Sequence, residues 1–360
     1  MPGWIHDPAT DGSTELRPEI VPMVLQIVWF ILIGVLFAGY AILDGFDLGV
    51  GMLHLFVRDD QDRRLLLNSI GPVWDGNEVW LVTGGGALFA AFSAVYATLF
   101  SGLYLVLMLL LLGLIFRGVS IEFRSKEPMG WWRKAWDNAF FAGSLLVSLL
   151  LGAFVGNLAR GLPLGPHGSF IGTFWSLLNP YALLVGVTTV ALFMMHGSIY
   201  LVMKTEGELH NRIRGWVNNC IIFFIICAVT TTMATLLYFP RLTAPFRDYP
   251  ILFLVPLLLM LAIANVPREI SRRKDFLAFL SSCAAMVLLL AVLSIGLFPN
   301  LVYAPNDPSR SLTVYNASSS HHTLMVMLVI AIIGMPIVVA YTIAIYWIFR
   351  DKVRLDSHSY

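Results

Sequence analysis

Charge is scarce in this 360-residue chain: Asp, Glu, Lys and Arg make up 12% of it, about half the ~25% usual in soluble domains. Set against a hydrophobic fraction of 58%, that scarcity excludes a disordered chain and an ordinary water-soluble enzyme. Cysteine is nearly absent. Cys220, Cys227 and Cys283 lie inside apolar runs with no CxxC pair, which excludes a disulfide scaffold and fits free thiols packed as small hydrophobes. Neither sign of charge predominates, with 23 basic and 22 acidic residues, so no basic surface is available for nucleic acid. Of the 8 histidines only His196 falls well inside an apolar run. A haem or metal site in a helical bundle needs two or more ligands at similar depth on facing helices, so none is expected to be ligated by this chain. A lone His196 reads as a hydrogen-bonded bundle residue, and any haem the protein works with belongs to a partner.

What is there is a series of apolar runs of about 20 residues, each long enough for a membrane-spanning helix. Nine are expected. They are Pro22 to Leu43, continuing as helix through Asp44 to Phe56; Trp74 to Phe92; Val95 to Arg117; Ala135 to Leu158; Tyr181 to Met203; Trp216 to Tyr238; Ile251 to Val266; Phe276 to Leu297; and Leu324 to Phe349. Alternate connections collect 18 of the 23 basic residues, while Arg17, Arg160, Arg241, Arg247 and Arg310 fall on the other side. Because basic loops stay cytoplasmic, the N-terminus is expected outside and the C-terminus inside. The fold class is therefore an all-α polytopic membrane protein. Its nine transmembrane helices can divide into two four-helix bundles plus one peripheral helix. Residues 1–21 form a periplasmic tail, 22–349 the transmembrane domain and 350–360 a cytoplasmic tail. The acidic start, with Asp7, Asp11, Glu15 and Glu19 against Arg17 alone, lacks the positive opening of a cleaved signal peptide. Trp29, Trp131, Trp132, Trp136 and Trp347 near span ends suggest an aromatic belt.

Ionisable residues at the edges of such spans are candidates for function. Asp44 and Asp47 are three residues apart and share a helix face, with Gly45 and Gly49 allowing a second helix to come close. The segment Trp74-Asp75-Gly76-Asn77-Glu78 opens the second span, where Asp75 or Asn77 could cap the helix and Glu78 sit in its first turn. The glycine run Gly84–Gly86 reads as close helix packing, since no Lys-Ser/Thr follows to make a nucleotide loop. Arg117 and Glu122, leaving the third span, fall at the same expected depth. Six ionisable groups at one boundary would make a hydrated relay admitting protons from the cytoplasm.

The stretches Gly39–Leu53 (GYAILDGFDLGVGML) and Ile70–Phe92 (IGPVWDGNEVWLVTGGGALFAAF) resemble subunit II of cytochrome bd-type quinol oxidases. So do Phe116-Arg117, Phe123-Arg124-Ser125-Lys126, Gly156-Asn157, Leu178-Asn179-Pro180, Gly207-Glu208-Leu209-His210, Ser311 to Ser318 and the tail His358-Ser-Tyr360. The resemblance implies the haem-free subunit of a respiratory terminal oxidase that oxidises quinol and reduces O₂ to water, in the bacterial cytoplasmic (inner) membrane. It further implies that b- and d-type haems reside in partner subunit I, and that this subunit stabilises subunit I and contributes a route for protons. A structural quinone and a small single-helix accessory subunit are further features of some members. By carry-over Asp75 is the foremost candidate for proton uptake, Asp44 and Asp47 match the paired aspartates of the first span, and Arg117 matches the basic residue closing the third. Ser93 and His196 depart from the common pattern, and bear on the branch of the family, the cyanide-insensitive one included.

Quinol oxidation releasing protons outside, and O₂ reduction drawing them from inside, would move charge across the membrane without a pump. Carboxyls in a partly dry site suit that uptake. The second reading is a proton- or ion-coupled secondary transporter, in which Gly-interrupted spans with buried acids bind ions at the midplane.

Overall fold

Helix α1 runs unbroken from Ile20 to His54, 35 residues or about 52 Å at 1.5 Å per residue, and so overreaches the ~30 Å of a hydrocarbon core. The expected continuation of the first span through Asp44 is thus a single helix. The computed structural model describes residues 20–355. Of the expected tails, the first 19 residues and the final His358-Ser-Tyr360 lie outside the described residues.

After α1 come α2 (Asp60–Ile70), α3 (Trp74–Ala91), α4 (Ser93–Gly102), α5 (Tyr104–Phe123), α6 (Gly130–Arg160) and the short α7 (Phe174–Leu177). The chain continues with α8 (Pro180–Lys204), α9 (Gly207–Tyr238), the short α10 (Ala244–Asp248), α11 (Leu254–Ser271), α12 (Asp275–Leu297) and α13 (His321–Ile348). Between α12 and α13 a two-stranded antiparallel ribbon pairs β1 (Asn300–Val302) with β2 (Leu312–Thr313). Among the described residues, eight helices are long and apolar enough to cross a membrane. The expected second span forms helix α3, 18 residues long, but its opening Asp75, Asn77 and Glu78 dilute its apolar character below that of the other eight.

The third span differs from expectation. The apolar run from Val95 is broken at Leu103, where the backbone leaves the helical region (φ −100°, ψ 22°), so the crossing helix begins at Tyr104. The Ser101 hydroxyl donates back to the Ala97 carbonyl at 2.7 Å, a bond that competes with the helix ladder and bends it. Gly102 packs on Phe170 of the α6–α7 connection.

Among the described residues, two large apolar cores and a small third one around Ala159, Leu242 and Leu297 fill the interior. Of the large ones, one surrounds the C-terminal half of α1, with Phe46, Leu48, Tyr200, Ile213 and Phe224. The other surrounds its N-terminal half, with Trp29, Phe92, Leu99, Val302 and Leu324. Trp29 therefore does not join an aromatic belt: it is buried, and its indole N–H donates to the Leu324 carbonyl at 2.9 Å. Trp131 and Trp347 are exposed, as a belt requires.

The contact of α1 with α8 is close enough to be a backbone contact. A Cβ on Gly49 would strike the Phe193 carbonyl oxygen and lie 2.9 Å from Gly197 Cα, so the small residue that the spacing singles out is required there. Within Gly84–Gly86 only Gly84 meets a neighbour, the Phe37 ring, while Gly85 and Gly86 face open space. Consecutive helical residues point about 100° apart, so three in a row cannot share one packing face.

Candidate functional site

Asp44 and Asp47 lie on the buried face of α1 and both are fully buried. The α5 residue that reaches them is Arg117, itself fully buried. Its guanidinium grips Asp44 at both oxygens, Nη1 donating to Oδ2 at 2.7 Å and Nη2 to Oδ1 at 2.5 Å. Such a fork-on-carboxylate pair is the strongest arrangement available to two buried ions. Glu78, from the first turns of α3, adds an oxygen 3.3 Å from Arg117 Nη2. The Tyr40 hydroxyl, one helical turn before Asp44, is also buried in this neighbourhood.

Asp47 is held differently. Its Oδ2 accepts from Asn77 Nδ2 at 2.7 Å, and its Oδ1 is buried without a hydrogen-bond partner among the described residues. Asn77 is locked in turn: the same amide nitrogen donates to the Leu43 carbonyl at 3.0 Å, and its oxygen accepts from the Tyr346 hydroxyl of α13 at 2.9 Å. Asn77 is thus a strut between three helices, and neither it nor Asp75 caps α3, whose N-cap residue Val73 makes no side-chain cap bond.

The six residues singled out from the sequence therefore separate. Asp44, Asp47, Glu78 and Arg117 converge. Asp75, one turn before Glu78, stands exposed at the rim. Glu122 is half-buried near the end of α5, five residues past Arg117 and so turned about 140° away from it round the helix.

A second ionic cluster lies apart from those six residues. Asp137 of α6 is buried, and accepts from His54 Nε2 at 2.6 Å, Arg63 Nη1 at 2.6 Å and Arg124 Nε at 2.5 Å. Arg124 continues to Asp60 at 2.7 Å, where Arg133 joins at 3.0 Å. Arg124 follows the end of α5, and its pKa is raised above the ordinary arginine value: burial opposes its charge, but the bonds to Asp137 and Asp60 outweigh that. This network ties α1, α2, α5 and α6 together. The one clue in the sequence was an acid two residues inside an expected apolar span.

His196 is fully buried, with Nδ1 2.7 Å from Ser282 Oγ and Nε2 3.1 Å from the Ile42 carbonyl. Both ring nitrogens are engaged, and His54 Nε2 is bound to Asp137. Neither histidine is free to ligate a haem iron through Nε2 without giving up a buried hydrogen bond. Among the described residues no cluster of three or more His, Cys, Asp or Glu could hold a metal ion.

The sequence matches the family model for cytochrome bd terminal oxidase subunit II over residues 25–349. It is 36% identical over 372 residues to the cytochrome bd-I ubiquinol oxidase subunit 2 of Escherichia coli, covering 93% of this chain and 98% of that one. With the cytochrome bd ubiquinol oxidase subunit 2 of Bacillus subtilis it shares 37% identity over 330 residues, covering 91% and 97%. In fold it is similar to the bd oxidase of Geobacillus thermodenitrificans, with a TM-score of 0.75 over 91% of this chain and 99% of that one. At 16% identity that last likeness is one of fold alone.

Proposed function

The chain belongs to the cytochrome bd terminal oxidase subunit II family, and from that premise we propose that it stabilises haem-bearing subunit I and supplies it with protons through the Asp47 cluster. Membership places it in the bacterial inner membrane as a multi-pass component of a quinol oxidase, and does not favour the transporter reading. In our reading α3 completes nine crossings, with the N-terminus periplasmic and the C-terminus cytoplasmic. The supports are the side-by-side distribution of basic residues and the contact of α3 with α1 through Asn77.

The observation that carries the proton route is the unequal treatment of two neighbouring acids. Asp44 is fully committed to Arg117. Among the described residues Asp47 has no cation of its own and keeps one buried oxygen without a partner, so it can gain and lose a proton without breaking a salt bridge. Exposed Asp75 collects protons from water, Glu78 lies one turn further in, and Asp47 holds them inside. Arg117 and Asp44 form a fixed wall beside the route. The haems of subunit I supply the redox chemistry, and this subunit positions and moves protons only. Consumption of cytoplasmic protons there, with quinol oxidised on the other side, makes the reaction electrogenic without a pump.

The test is Asp75→Asn in the assembled complex, with haem content measured alongside. Slower quinol-driven O₂ uptake and a smaller membrane potential at full haem content are expected. Normal uptake and normal potential would sink the role of Asp75, and a loss of haem would make it structural.

A further inference from the structure

The C-terminal segment does not trail away from α13. Val353 N–H donates to the Lys204 carbonyl at 3.0 Å, Lys204 Nζ reaches the Phe349 carbonyl, and Lys352 Nζ donates to the Val202 and Thr205 carbonyls at 3.1 and 2.8 Å. Two lysines thus cross, each satisfying carbonyls at the end of the other's helix. Beside this strap lies an open cleft of about 470 Å³, lined by Arg273, Lys274, Asp275, Phe276, Leu277 and Lys352.

The cleft is cationic. Its one acid, Asp275, is already answered by Arg214, which donates to both carboxylate oxygens at 2.7 and 2.6 Å. Arg273 and Lys274 are exposed. An ammonium has three donors, and the two carbonyls leave one of those on Lys352 uncommitted. Partial burial, helped by nearby Arg214, holds the pKa of Lys352 below that of an ordinary lysine, although Asp275 and Glu206 pull the other way. Part of the lining is apolar and open, with Phe276 63% and Leu277 43% exposed at the start of membrane-crossing α12. Cations on the water side and bare hydrocarbon on the lipid side are the two halves of a phospholipid site, and basic pockets between helices at this boundary take anionic headgroups.

We propose that this cleft binds an anionic phospholipid, its phosphodiester against Arg273, Lys274 and Lys352 and its acyl chain along Phe276 and Leu277. A free phosphate ion would use the cations but not the apolar lining. Bound there, the lipid joins the α11–α12 turn to the C-terminal strap.

The assembled oxidase in detergent is titrated with phosphatidylglycerol or phosphatidylcholine and bound lipid is counted by native mass spectrometry. Phosphatidylglycerol is expected to bind preferentially. Each cation removed should weaken it about five-fold, so that Arg273→Gln with Lys274→Gln weakens it by about 25-fold. The equal charge loss in Lys126→Gln with Lys134→Gln should leave it unchanged. If the double variant fails to assemble, Arg273→Gln alone carries the test through its five-fold step. Absence of preference for the anionic lipid overturns the proposal, as does equal weakening in the two variants. Displacement of the lipid by inorganic phosphate at the same concentration would identify a free-anion site instead.

Discussion

Replacing either of the two α1 aspartates by asparagine removes one negative charge at nearly constant volume, yet the consequences should differ sharply. In Asp44→Asn the fully buried Arg117 loses its bidentate partner and retains Glu78 at 3.3 Å as its remaining ion pair. Breaking a buried pair from one side costs about 3–5 kcal/mol, because the surviving charge is stranded. The partial substitute from Glu78 puts the expected loss near the lower figure, about 3 kcal/mol. In Asp47→Asn no cation is stranded. The new side-chain oxygen can still accept from Asn77, and the change costs at most about 1 kcal/mol, a single hydrogen bond. The assay is the half-life of the purified complex at a fixed elevated temperature, read by loss of haem absorbance, together with quinol-driven O₂ uptake before heating. With 1.4 kcal/mol to a decade, Asp44→Asn should inactivate up to about 100-fold faster, whereas Asp47→Asn should keep a near-normal half-life and lose turnover. Replacing Asp44 and Arg117 together by leucine should recover most of the lost stability, since removing a whole buried pair is often neutral. Equal half-lives for Asp44→Asn and Asp47→Asn would refute the assignment of one acid to structure and the other to proton transfer.

Gly49→Ala should cost at least about 1–3 kcal/mol, because its methyl group would strike the Phe193 carbonyl and push α1 off α8; a normal half-life in the same assay would contradict that contact. Asp137→Asn removes the acceptor shared by His54, Arg63 and Arg124. It should lower the yield of assembled complex by an amount corresponding to about 3–5 kcal/mol, measured by co-purification of the two subunits. In the β1–β2 connection, the Ser309 hydroxyl and N–H and the neighbouring Arg310 hold the pKa of Asp307 below its ordinary value. A depressed carboxyl favours the folded turn above its unfolded pKa, and that contribution is lost as pH falls through the folded value. The protection factor of the Ser309 amide, its exchange rate set against that of an unstructured amide at the same pH, should fall on acidification through that window, and not in Asp307→Asn, which lacks the titrating group.

Much of the architecture was readable because a bilayer demands long apolar helices, and eight of the expected segments formed them. Asp44 and Asp47 could be placed together from their spacing, and Arg117 beside them from its depth alone. The break at Leu103 was hidden, since it rests on the Ser101 back-bond and the packing of Phe170, neither of which interrupts an apolar run. The Tyr346–Asn77 bond joins residues 269 apart in sequence, and no periodicity encodes a partner at that distance. Asp137 carries no distinct signal in the sequence, because one acid near the start of an apolar run reads as the edge of a span, whereas α6 begins well before it, at Gly130. Which acid is committed and which is uncommitted depends on where a guanidinium points, and that is a property of packing.

The Tyr346 hydroxyl gives the order of synthesis a chemical meaning. All four charged members of the cluster lie within residues 44–117, and leave the ribosome early. The group that fixes the orientation of Asn77, and through it Asp47, sits in the last helix to emerge. A nascent chain that has inserted α1, α3 and α5 therefore possesses the acids before it possesses their final alignment. Docking of α13, pinned at one end by Trp29 on Leu324 and at the other by the crossed lysines, is the step that completes the site. Packing of the last described helix and completion of the hydrogen-bond network around Asp47 are in this way made to coincide.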